Sequence, residues 1–193
     1  MPDLKILAIS GSLRAASLNS ALVRAAQKFA PSGLSIEIYE GLREIPPYDT
    51  DLDNDTPPAA ATDLRRRITE ADGLFIATPE YNYGIPGVLK NALDWASRPT
   101  ASSPVSSLAA KPIAIAGAAP TNFGTVRAQL SLRQSFLWTD SKVVGKPELQ
   151  IFRAHERFDE SGNLTDETTI DLLRQLLDAL AAKVRETRAS ASV

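Results

Sequence analysis

A three-layer α/β sandwich, with a parallel sheet held between two layers of helices, is the fold this chain of 193 residues predicts. Apolar runs of strand length alternate with segments of helical periodicity from one end to the other, the pattern of repeated βαβ units. Three of those runs are apolar almost without interruption, as strands covered on both faces must be. The composition suits one such domain: 44% of residues are hydrophobic and 23% charged, enough for one substantial core and slightly little for two.

The first strand is expected at residues 4–10, "LKILAIS", and breaks off at the small and polar stretch "GSLRAASLN". Residues 19–29 then place Leu22, Val23, Ala26 and Phe29 at helical spacing. Residues 34–39, "LSIEIY", alternate Leu34, Ile36 and Ile38 with Ser35, Glu37 and Glu40, as a lateral, half-buried strand does. Residues 41–62 are rich in Pro and Asp and form the least structured part. A short helix over residues 64–71 carries Arg65, Arg66 and Arg67, read as a solvated face. The third strand is "GLFIAT", residues 73–78. The helix after it, residues 86–97, has a proline in its first turn and a stripe of Leu89, Ala92, Leu93 and Ala96. "PIAIAG", residues 112–117, is the fourth strand, a helix follows over residues 125–138, and residues 142–144 are a short fifth strand. The last helix, residues 166–188, buries Ile170, Leu173, Leu177, Leu180 and Val184. Asp166 and Glu167 at its start, with Lys183, Arg185 and Arg188 at its end, complement its dipole. Five strands favour the flavodoxin-like order 2-1-3-4-5 over a six-stranded dinucleotide fold. The expected organisation is one domain, residues 1–188, and a flexible tail, residues 189–193.

Charge and composition exclude several functions. A net charge of −2 gives no basic field for nucleic acid or an anionic membrane. The absence of cysteine removes disulfides, thiolate nucleophiles and thiolate metal ligation. No apolar run approaches the ~20 residues needed to span a bilayer, and the N-terminus reads into a strand without a signal-peptide pattern. The expectation is a cytoplasmic protein with neither membrane nor nucleic-acid partner. His155 is the only histidine and no G-x-S-x-G elbow exists, so a solvated or structural role is expected for it. "DTDLDND", residues 49–55, fails as a calcium loop because Asn54 takes the glycine position and Ala60 that of the bidentate acid. It is read as a solvated acidic loop, and no metal site is expected.

In an open α/β sheet, ligands bind beyond the carboxyl ends of the strands. That rule selects residues 10–19, 78–86 and 117–125. The first segment runs into a helix N-terminus with Ser10, Ser12, Ser17, Asn19 and Arg14, a set suited to an anion. Ser17 or Asn19 can cap the helix at the same time. With no Walker A and no G-x-G-x-x-G pattern anywhere, a mononucleotide phosphate is the better match. The second segment, "TPEYNYGIPGVLKNALDW", offers backbone amides and flat side chains to a planar heterocycle. A purely structural turn using Gly84 and Gly87 is the competing reading. Glu80 lines a pocket or pairs with a cation, Arg127 and Arg133 being candidates. Trp95 and Trp138 are core residues or interface anchors.

"GSLRAASLN" followed by "PEYNYGIPGVLKNALDW" resembles the NAD(P)H-dependent FMN reductase family, which includes quinone, chromate and azo reductases, over nearly the whole chain. The resemblance implies that Ser10, Ser12, Arg14, Ser17, Asn19 and Ser20 hold the FMN phosphate. Pro79, Glu80, Tyr81, Asn82 and Tyr83 would cradle the isoalloxazine ring, and "GAAPTNFGTVRAQLSLRQ", beginning at Gly117, would close its other side. The family often has a glycine soon after that proline, where this chain has Thr121. The implied activity is reduction of a quinone, free flavin, azo compound or metal oxyanion such as chromate, with NADPH or NADH as co-substrate. Hydride would pass through flavin N5 in a ping-pong cycle. No side chain is required as a catalyst, and Glu80 and Tyr83 are possible acceptor-site residues. The resemblance also implies a homodimer or homotetramer with the flavin near a subunit interface. The alternatives are a flavodoxin-type electron carrier and a non-catalytic flavin-binding protein.

Overall fold

Leu4–Ser10 (β1) is the strand around which the sheet is assembled in this computed structural model, which describes residues 3–100 and 103–190. Leu34–Tyr39 (β2) and Gly73–Ala77 (β3) flank β1 in parallel, with Leu4 opposite Leu34 and Ile6 opposite Gly73. Pro112–Ala118 (β4) pairs with β3, Leu74 facing Ile113. The fifth position is divided. Lys142–Val143 (β5) pairs with the start of β4 and Leu149–Ile151 (β6) with its end. Gly145 and Pro147 lie between them, and proline has no N–H to give a ladder. The order is therefore β2-β1-β3-β4-β5, as expected, with β6 an added strand on β4.

Alternation along the central strands sends side chains to two separate cores. On one face Ile6, Ala8, Phe75, Ala77, Ala114 and Ala116 pack beneath Leu18–Lys28 (α1) and Glu167–Ser190 (α5). On the other, Leu7, Ile9, Leu74, Ile76, Ile113 and Ile115 meet Ala59–Glu70 (α2), Gly87–Ala96 (α3) and Leu132 of Val126–Ser135 (α4). The helical stripes read from the sequence are those that pack: Leu22 and Val23 in α1, Leu89 and Leu93 in α3, Leu173, Leu177 and Leu180 in α5. This is the flavodoxin-like architecture.

Five expectations need correction. α2 begins at Ala59, five residues before the expected start at 64, because Pro58 precedes a run of alanines that shows no apolar stripe. Residues 41–62 also contain short 3-10 turns at Gly41–Glu44 and Thr50–Leu52. The arginine triplet is not one solvated face. Arg65 is buried, forks onto Asp53 at 2.8 and 2.9 Å, and donates from Nε to the Trp95 carbonyl at 2.8 Å. Only Arg66 and Arg67 turn outward, pairing with Asp63. Asp53 is correspondingly not a solvated acid: its carboxylate is almost fully enclosed, and Tyr48, edge-on to Trp95 at 4.9 Å, covers the same spot. The last helix continues to Ser190, past the expected end at 188, and residues 191–193 lie outside the described residues. Trp95 is core, whereas Trp138 is 83% exposed. His155 is solvated, as expected.

Candidate active site

Because β1, β3 and β4 are parallel neighbours, the three loops leaving their carboxyl ends lie side by side. The first is built by its own serines. Ser10 Oγ accepts the Ser12 amide at 3.3 Å, Ser12 Oγ accepts that of Arg14 at 3.3 Å, and Ser10 Oγ shares a hydrogen bond with Ser20 Oγ at 2.9 Å. Ser17 is the N-cap of α1, taking the amides of Asn19 and Ser20. The backbone N–H groups of Leu13, Ala15 and Ala16 have no acceptor among the described residues. A cavity of about 330 Å³ adjoins this loop, with Ser10, Ser12, Arg14, Ser20 and Arg43 in its wall. Asn19 does something else with its side chain. It is buried, donates Nδ2 to the Ala118 carbonyl at 3.0 Å and accepts the Ala118 amide at 2.9 Å, tying the first loop to the end of β4.

The second loop is a tight turn. Tyr81 and Gly84 exchange N–H···O bonds of 3.0 and 2.9 Å, and both residues between them, Asn82 and Tyr83, have positive φ, 50° and 67°. That is a type I′ arrangement, in which tyrosine occupies a position that favours glycine. The strain puts two phenol rings into solvent: Tyr81 and Tyr83 are 53% and 71% exposed.

The third loop is fitted closely onto the second. A Cβ on Gly117 would lie 1.8 Å from Thr125 Oγ1 and 2.6 Å from the Thr78 carbonyl, so only hydrogen is tolerated there. Gly124 and Thr125 both have positive φ, 52° and 64°. Buried Gln129 holds this turn through its Nε2, which bonds Thr125 Oγ1 at 3.2 Å and the Leu149 carbonyl at 3.0 Å. Thr121 does not have positive φ, and its carbonyl accepts the Arg153 amide at 2.9 Å, so a side chain at that place meets no backbone obstacle.

Glu80 joins the second and third loops. Its Oε2 accepts the amides of Arg127 at 3.0 Å and Ala128 at 3.2 Å, and its Oε1 pairs with the Arg127 guanidinium. That guanidinium stacks over Tyr83, 3.9 Å from the ring centre, and over Phe123 at 4.5 Å. Arg133, the other candidate partner, instead donates to the Val144 carbonyl at 2.9 Å. Thus Ser10 at the end of β1, Ser12, Arg14 and Ser17 in the first loop and Ser20 in the first turn of α1 sit together, Pro79 to Tyr83 form the second loop, and Gly117 lies in β4 beneath the third. Sequence reading had no account of Thr125 or Gln129. The one available signal was a polar residue, Gln129, beside Ala128 and Leu132 on the buried side of α4.

A second concavity, of about 430 Å³, runs along α2 past Thr62, Arg65, Thr69 and Ser107 and includes no residue of the three loops. Among the described residues no cluster of His, Asp and Glu suits a metal ion, and no helix is long and apolar enough to cross a membrane.

Unbonded amides beside a helix N-terminus suit a phosphate, exposed tyrosines on a tight turn suit a flat heterocycle, and the Arg127 Nε is buried without a partner among the described residues. The donor set therefore fits a flavin mononucleotide, and fold and site together define a flavodoxin-like flavoprotein. Residues 4–156 match the family model for NADPH-dependent FMN reductases. The chain is 45% identical to an NAD(P)H-dependent FMN reductase of Pseudomonas aeruginosa, over 96% of this chain and 98% of that one. It is 41% identical to a 2-hydroxy-1,4-benzoquinone reductase of a Burkholderia species, with the same coverage. Among solved structures it is similar to FerB, an NAD(P)H:(acceptor) oxidoreductase of Paracoccus denitrificans, with a TM-score of 0.84 and 33% identity, covering 95% of this chain and 98% of that one. The chain belongs to the NADPH-dependent FMN reductase family, and is an oxidoreductase that works with FMN and NAD(P)H.

Proposed function

We propose that this chain reduces small planar acceptors, quinones first among them, at the expense of NADPH or NADH, using FMN held across the three loops. The observation that carries the reading is the juxtaposition of the unbonded amides after Ser12 with the Tyr81–Gly84 turn at one sheet end. The first loop's amides, Ser10, Ser12, Ser20 and Arg14 would grip the phosphate. Ser17 and Asn19 would act there as cap and strut, keeping α1's N-terminus on the phosphate. The backbone of Pro79–Tyr83 and the Tyr81 and Tyr83 rings would support the isoalloxazine, and Gly117 would let the third loop approach from the other side. FMN, when bound, supplies the hydride-accepting centre, which is why the protein needs placement and electrostatics rather than a catalytic side chain. Nicotinamide and acceptor would use the same exposed face in turn, a ping-pong cycle. Flavins, azo compounds and chromate are further acceptors within this reading.

The same reading makes the protein a homodimer or homotetramer. Phe123, Leu130 and Leu137 recur at seven-residue intervals along and beyond α4, and with Trp138 they are all more than half exposed. A second copy seated there would lie beside Tyr83 and help shape the acceptor pocket. A supply of NAD(P)H makes the cytoplasm the expected location.

The test is anaerobic. FMN-loaded protein mixed with NADPH or NADH should lose its yellow absorbance without a second protein and regain it with a quinone. Initial rates against both substrates should give parallel reciprocal lines. Persistent colour would identify an electron carrier or a binding protein instead, and intersecting lines would exclude the alternating cycle.

A further inference from the structure

We propose that Glu80 is a positioning residue, which caps α4 from another loop and locks the Tyr83–Arg127–Phe123 stack in place, and that its carboxylate does not touch substrate. This rests on the function proposed above and gives one of its residues a specific role.

α4 lacks a cap of its own. Its N-cap residue, Thr125, is left-handed and makes no side-chain bond to the helix amides. The two amides that an N-cap oxygen ordinarily satisfies, at the second and third helical positions, are those of Arg127 and Ala128. Glu80 Oε2 takes both, across 47 and 48 residues of sequence. A carboxylate at that place also meets the positive end of the helix dipole. The second oxygen is committed to Arg127, and the side chain is only 10% exposed. Both oxygens are thus engaged by protein donors. What Glu80 itself can still offer a flat ring is its backbone N–H, which has no acceptor among the described residues. The pair also fixes charge. Glu80 offsets Arg127, so the guanidinium stacked on Tyr83 and Phe123 presents little net charge to the ring site.

Three substitutions in the full chain separate these roles. Glu80→Gln keeps an oxygen for the two amides and removes the charge, Glu80→Ala removes both, and Arg127→Met keeps the cap and removes the ion pair and stack. In FMN-free protein, exchange of the Arg127 and Ala128 amide hydrogens should be about tenfold faster in Glu80→Ala, within about threefold of wild type in Glu80→Gln, and unaltered in Arg127→Met. FMN binding should weaken about tenfold in Glu80→Ala and be largely rescued in Glu80→Gln. The midpoint potential of bound FMN should rise in Glu80→Gln, where the Arg127 charge is no longer offset, and fall in Arg127→Met. The proposal is overturned if Gln behaves as Ala does throughout, if none of the three changes exchange or potential, or if Glu80→Gln loses more in kcat than in FMN affinity. Should Glu80→Ala not fold, the opposite potential shifts of the other two variants decide. If wild type binds no FMN, the proposed function fails, while amide exchange still tests the cap.

Discussion

Asn19 and Ala118, 99 residues apart in sequence, are joined by two reciprocal hydrogen bonds, Nδ2 to carbonyl at 3.0 Å and amide to Oδ1 at 2.9 Å. The pair fixes the start of α1 against the end of β4, so it couples the first loop to the third. Replacing Asn19 with Ala leaves a buried N–H and C=O without partners, a loss of about 2–4 kcal/mol. Urea denaturation should show it as a lower midpoint with an unchanged slope. Asn19→Asp keeps the acceptor and loses the donor, and should fall below wild type as well.

Gly117→Ala tests the approach of the third loop. With Thr125 Oγ1 1.8 Å and the Thr78 carbonyl 2.6 Å from the new Cβ, the turn has to shift. FMN affinity should drop at least tenfold. Adding Thr125→Gly removes the hydroxyl and suits the left-handed backbone, so the double variant should recover in part, the carbonyl contact remaining.

The Arg65–Asp53 pair holds the acidic loop onto α2 and α3. Asp53→Ala strands a buried guanidinium whose Nη1 already has no partner among the described residues, and should cost about 3–5 kcal/mol. Arg65→Met combined with Asp53→Leu removes both charges and should be closer to wild type than Asp53→Ala alone. Thermal melts of the three proteins check the order.

Tyr83 separates stability from recognition. Its φ of 67° is strained for any side chain, so Tyr83→Gly should hold or raise the melting temperature, by up to about 1 kcal/mol in stability. The same change removes the surface on which Arg127 stacks. KM for a quinone should therefore rise in Tyr83→Gly and stay near wild type in Tyr83→Phe.

Acid sensitivity has a nameable source at the start of α5. The hydrogen bond from the Thr169 hydroxyl, together with the Arg157 guanidinium, holds the Asp166 carboxyl below its ordinary value of 3.8, against the opposing effect of burial. A depressed folded pKa contributes stability that is fully present above 3.8 and lost as pH falls through the folded value. Asp166→Asn should flatten the fall of the urea midpoint below that pH. Some slope should remain, since Asp63, Asp159 and Glu186 are also held low.

The central strands were legible because burial on both faces leaves them apolar at every position, and the order followed from their number. β6 was not, since three residues carry too little pattern. The start of α2 was hidden by alanines that fit many environments, and Arg65 by neighbours of its own kind. In the site, the strand-end rule was enough to select the three loops that the structure brings together at one end of the sheet. The roles of Asn19 and Glu80 were not readable, because each is defined by a partner on another strand's loop. Arg127 was a named candidate for Glu80, yet the two helix amides it also takes have no signature in sequence.

All of this depends on the three loops forming a single FMN site. Titrating FMN into the cofactor-free wild-type chain, with flavin fluorescence as the readout, tests it most directly. Saturable quenching at one FMN per chain, weakened by Gly117→Ala, is the predicted result. Fluorescence that stays that of free FMN at every protein concentration would contradict it.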